Sequence, residues 1–171
     1  MIWATRGTIV VGLCILVRQS IIWWKHSGGR KGITSDPVGA ASRLFPFIAS
    51  WCYGALGVLA VGGLIGWGFD AALWITNWLG DVALVWGVDG KAGVSSRGNY
   101  LPLTGDGAGF VLVLTAAFFT CMAVVSDRGP LKRGVWCGLS LGTSSGIAGF
   151  AAVPVAQATN QVGFLVFGWI G

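Results

Sequence analysis

The chain contains no glutamate: its six acids are all aspartate, set against eleven lysines and arginines and one histidine, His26. A single histidine excludes bis-histidine haem within the chain, and with none inside the apolar runs a serine nucleophile has no imidazole base. Cys14, Cys52, Cys121 and Cys137 form no CxxC or other metal-ligand spacing, and each falls in an apolar run, where a free cysteine behaves as a small hydrophobe. The glycine-rich stretches lack the strand context and lysine of a phosphate loop. These absences predict a non-catalytic protein with no metal or prosthetic group. Charge of either sign is also scarce. Charged residues make up 10% of the chain, against about 25% in a soluble domain. So little charge cannot clothe a water-facing surface.

What is present is apolar. Hydrophobic residues make up 54% of the sequence and the mean hydropathy is +0.75. The expectation is an all-α integral membrane protein forming one membrane domain. The run from Gly107 to Ser126 is uncharged and is followed at once by Arg128, Lys132 and Arg133. About 20 residues at about 1.5 Å each cross a hydrocarbon core of about 30 Å. A basic cluster beyond such a span marks a cytoplasmic end.

Three further spans are predicted over about 7–24, 44–68 and 134–156. No small-x-small cleavage site follows the first, so it reads as a retained helix and not a signal peptide. Arg18 interrupts it. The arginine can snorkel toward Lys25 or pair with an intramembrane aspartate. Residues 25–43 read as a loop, with at most one short helical piece. Gly54, Gly57, Gly62, Gly63 and Gly66 in the second span would let helices approach closely in lipid.

Residues 70–88 place Asp70, Asn77 and Asp81 on one helical stripe, with Trp74, Trp78 and Trp86 around the remainder. That pattern predicts an extracytoplasmic interfacial amphipathic helix. After the fourth span, Gln157, Thr159, Asn160 and Gln161 predict a polar break before a last apolar piece, 162–171, too short to span.

The basic residues define an orientation. Lys25, Arg30, Lys31 and Arg43 lie in one predicted loop, and Arg128, Lys132 and Arg133 in another, so two short turns hold seven of the eleven. Both turns are expected in the cytoplasm, facing lipid headgroups or a lumen, with both termini outside. The layout is two helical hairpins joined by an outer segment, in a multi-pass protein of the cell membrane. The basic residues are too dispersed for a nucleic-acid site.

Leu101-Pro102-Leu103-Thr104-Gly105 matches the LPxTG pentapeptide of sortase substrates, and the apolar span and basic cluster behind it resemble the rest of a Gram-positive sorting signal. That resemblance implies cleavage between Thr104 and Gly105. It departs from the family because 38 uncharged residues follow Arg133. The alternative is that Pro102 and Gly105 only turn the chain into the third span. In overall character the chain also resembles the plasmid-spread membrane proteins of actinobacterial conjugative elements. The hairpin with a basic turn is similar to conjugative pilins. Those resemblances imply an assembly or pore subunit for conjugation, with bound phospholipid. The functional expectation is a membrane subunit that self-associates through glycine-rich faces into a homo-oligomeric tube or pore. A small channel or transporter using Arg18, Asp70, Asn77, Asp81 and Asn160 is one alternative, and an accessory subunit bound to other membrane chains is another.

Overall fold

The computed structural model describes residues 4–59, 63–88, 94–95, 105–142 and 147–167. Among them are seven helices: α1 (Arg6–His26), α2 (Gly29–Ser35), α3 (Pro37–Leu59), α4 (Gly63–Val88), α5 (Gly105–Val124), α6 (Gly129–Gly142) and α7 (Ile147–Phe167). The all-α class is as expected. The exception is a two-residue antiparallel pairing of β1 (Ala4–Thr5) with β2 (Val94–Ser95), in the register Ala4 to Ser95. Among the described residues, two helices are long and apolar enough to cross a membrane: α1 and the Gly107–Val124 part of α5.

Several boundaries differ from the sequence expectation. Helix α3 starts at Pro37, not Leu44, because Asp36 caps it: its carboxylate accepts the Gly39 N–H at 2.9 Å, and proline is at home in a first helical position. Pro46 is therefore inside the helix. The preceding turn needs two left-handed residues, Gly28 (φ 73°) and Gly29 (φ 66°), which end α1 and lead into the short α2. The expected 44–68 span is divided, since α3 ends at Leu59 and Gly63 begins α4. The segment 70–88 is thus the larger part of a 26-residue helix.

The chain after Arg133 is divided differently too. Helix α6 ends at Gly142, and α7 carries Gln157, Thr159, Asn160 and Gln161 within it, with no break there. Isolated polar side chains do not end a helix when the helix itself satisfies them. The Thr159 hydroxyl donates to the Val155 carbonyl one turn back, at 2.7 Å. The last apolar piece up to Phe167 continues the same helix.

The closest packing is between α3 and α6, which run side by side in the same direction. Gly134 lies against Ser50 and the Phe47 carbonyl, Gly138 against the Trp51 carbonyl and Ala55, and Gly142 against Ala55. Gly54 on α3 answers with Val135 and Leu139. Glycines four residues apart present one smooth strip, so the backbones approach with only small side chains such as Ser50 and Ala55 between them. Helix α1 runs antiparallel to α6, with Gly12 beside Leu141 and Gln19 beside Arg133. It meets α4 at a second backbone contact, Gly7 on Gly80. Leu73, Leu139 and Val58 tie α4 to this core, and Leu56 with Ala156 ties in α7.

Candidate functional site

Several polar side chains are buried beside the apolar core, and many large apolar ones are exposed. Thr8, Gln19, Ser50, Thr76, Asn77 and Thr159 are all buried, whereas Trp67, Trp74, Trp78 and Trp86 on α4 are 62–87% exposed. Val10, Leu13, Val17 and Ile21 line the outer face of α1, and Leu112, Val113 and Phe119 that of α5. A water-soluble monomer rarely exposes so much contiguous large apolar surface.

On helix α4 the stripe is turned toward the protein: Asn77 is buried and Asp70 and Asp81 are half-buried. Asn77 pairs with Thr8 through the Thr8 hydroxyl, and one Asp81 carboxylate oxygen is buried beside Gly7 with no hydrogen-bond partner. The four tryptophans take the outside. Gly7 and Gly80 allow this, because their contact brings the two backbones near enough for short polar side chains to reach across.

A half-open groove of about 690 Å³ runs between α1, α3, α5 and α6. Its walls are apolar along most of their length. Tyr53 on α3 stacks on Phe118 of α5, with centroids 4.7 Å apart, and donates its hydroxyl to Thr115 at 3.1 Å. Polar groups gather at one end, where α1 finishes and α6 starts. Arg133 of α6 donates through Nη1 to Oε1 of buried Gln19 at 2.6 Å. Arg43 of α3 donates through Nη1 to the His26 carbonyl at 2.6 Å, which satisfies one of the orphan acceptors at the C terminus of α1. His26 and Asp127 line the same end. The Asp127 carboxylate accepts the Gly129 N–H at 3.0 Å and so caps α6.

Of the basic residues predicted to face headgroups, Arg43 and Arg133 are therefore brought together in one groove. Lys25, Arg30, Lys31, Arg128 and Lys132 are exposed near that end of the bundle but do not line it. Arg18 is on the exposed outer face of α1, while Asp81 sits at Gly7, eleven residues and about 16 Å away along the helix. Arg18 and Asp81 are thus too far apart to pair. Asn160 is half-buried in α7, and Asp70 half-buried near the start of α4; neither lines the groove. Leu101, Pro102 and Thr104 fall outside the described residues, and Gly105 opens α5.

Gln19, Tyr53, Phe118, Cys121 and Asp127 were not marked by the sequence as members of a site. Gln19 carried a usable signal, since one step along a helix turns it about 100° from Arg18. A buried glutamine on an apolar helix requires a partner. Among the described residues, no group of histidine, cysteine and acidic side chains could hold a metal ion. Comparison with protein-family models, curated proteins and solved structures finds no match for this chain.

Proposed function

We propose that the chain is a multi-pass, non-catalytic subunit of a larger membrane assembly. The observation that carries this reading is the outer surface: an apolar belt with tryptophans, around a core that also buries amides and hydroxyls. Such a surface is stable in lipid or against other apolar chains, and costly in water. The assembly part of the reading rests on the shape of that surface. The outer faces of α1 and α4 are long and exposed among the described residues, whereas Gly54, Gly134, Gly138 and Gly142 are already engaged between α3 and α6. Contacts between subunits would therefore use aliphatic and tryptophan side chains in place of the glycine faces.

A channel or transporter is less well supported. Gln19 with Arg133, Thr8 with Asn77 and Tyr53 with Thr115 each link two helices, and Arg18, Asp70, Asn77, Asp81 and Asn160 do not line the groove.

Membranes containing the full chain, washed at alkaline pH, test the first part, and light scattering of the protein in mild detergent tests the second. The expected result is a chain that stays in the membrane pellet and is purified as an oligomer or with stoichiometric foreign chains. Release by the wash would overturn the membrane reading. A strictly monomeric particle with no companion would overturn the assembly reading.

A further inference from the structure

We infer that the groove between α1, α3, α5 and α6 binds one anionic phospholipid, with an acyl chain along its apolar walls and its phosphate on Arg43 and Arg133. The inference rests on the membrane reading above and identifies the occupant of that site.

Size and shape are the first observation. A groove of about 690 Å³ is in the range of small-ligand sites, about 300–1,000 Å³. It is half-open on the side where Phe45 and Cys121 are exposed, so a chain can enter sideways from a bilayer. Its middle is bounded by Tyr53, Leu114, Ala117 and Phe118, which offer a methylene chain continuous contact. A free phosphate or a polar peptide would gain nothing from that trough.

Charge is the second observation, and it is independent of the first. Two guanidinium groups, from helices far apart in sequence, line the same end of the groove. Each has one nitrogen committed to a protein acceptor: Arg43 to the His26 carbonyl and Arg133 to Gln19. Those bonds hold the forks in place. A guanidinium has five N–H donors in a planar array that matches phosphate oxygens, so both retain donors for a ligand. The one acid lining that end, Asp127, has a carboxylate oxygen accepting the Gly129 N–H, and two arginines outweigh it.

Position is the third. The charged end coincides with the two basic turns that hold seven of the eleven lysines and arginines, which is where the headgroup layer would lie. Charge and trough are thus separated along the groove as they are along a phospholipid.

The test is native mass spectrometry of the full chain in detergent, titrated separately with dioleoyl phosphatidylglycerol and dioleoyl phosphatidylcholine. The wild type is expected to retain one phosphatidylglycerol with a preference of about thirtyfold, the effect of two basic side chains on one anionic headgroup. Arg43→Gln with Arg133→Gln should bring the two lipids to parity. Ala117→Trp, which fills the trough and leaves both arginines in place, should remove the retained lipid of either kind. Helix content and elution volume establish that each variant is folded. Equal retention of both lipids by the wild type would overturn the inference, as would a preference unchanged in both folded variants. The alkaline wash separates the two readings. A chain that stays in the membrane but shows no lipid preference loses the groove's occupant alone, whereas a chain that is released loses the membrane reading and the occupant with it.

Discussion

Gln19 of α1 and Arg133 of α6 are 114 residues apart and meet at 2.6 Å, Nη1 to Oε1. Gln19 is 4% exposed, so its amide depends on the protein for hydrogen bonding. A hydrogen bond to a charged group contributes about 1.5–3 kcal/mol, and removing one partner leaves the other unmatched. Gln19→Leu should therefore lower the midpoint of thermal unfolding in detergent by several degrees. Gln19→Glu keeps an acceptor facing the guanidinium and should fall less. Equal loss in the two variants would show that the contact matters only as packing.

The glycine strip makes a sharper prediction. A methyl group on Gly138 would run into the carbonyl oxygen of Trp51, and one on Gly134 into Ser50. Backbone cannot yield as a flexible side chain does, so Gly138→Ala should separate α3 from α6 and sharply reduce the yield of folded protein. Gly68 of α4 has open space around it, and alanine there should stabilise the helix by about 0.5–1 kcal/mol. Folded yield and unfolding midpoint of the two variants are the measurement. A tolerated Gly138→Ala would contradict the packing described for α3 and α6.

The sequence made some of these elements legible and hid others. Helices α1 and α5 are uncharged or nearly so for a full membrane thickness, with basic residues just beyond, and both were readable. Asp36-Pro37 is a cap followed by a first-turn proline, a local signal for the start of α3 that the loop reading passed over. Gly142 to Gly146, a cluster of glycine, serine and threonine, was the better boundary in the last uncharged stretch than Gln157 to Gln161. The spacing of Gly134, Gly138 and Gly142 marks a close-packing face. It does not say which helix lies on it, because Ser50, Gly54 and Ala55 are no more distinctive than other small residues in the chain. The groove is less legible still. Arg43 and Arg133 share it because α3 and α6 pack side by side and α1 holds both side chains, one through its last carbonyl and the other through Gln19, and no local pattern links positions 90 residues apart.

Thr8 and Asn77 form a polar link between α1 and α4. Side-chain hydrogen bonds between helices in lipid contribute about 0.6–2 kcal/mol. A double-mutant cycle with Thr8→Val and Asn77→Leu should return a coupling energy in that range, since the two side chains touch and each single change removes the same contact. Strict additivity would mean that Gly7 on Gly80, and not this pair, holds the two helices together.

The four lysines allow the orientation to be read without altering the chain. Lys25, Lys31 and Lys132 belong to the two basic turns, and Arg43 and Arg133 bring those turns to one end of the bundle. Lys91 lies in the segment between α4 and α5, on the side assigned to the exterior by the distribution of basic residues. A membrane-impermeant acylating reagent applied to right-side-out vesicles should modify Lys91 and spare the other three. Inside-out vesicles should show the reverse pattern, read by mass spectrometry of the digested chain. Modification of all four from one side would mean that the turns and Lys91 share a compartment. The helices between them would then cross an even number of times, and the layout of two hairpins joined by an outer segment would have to be abandoned.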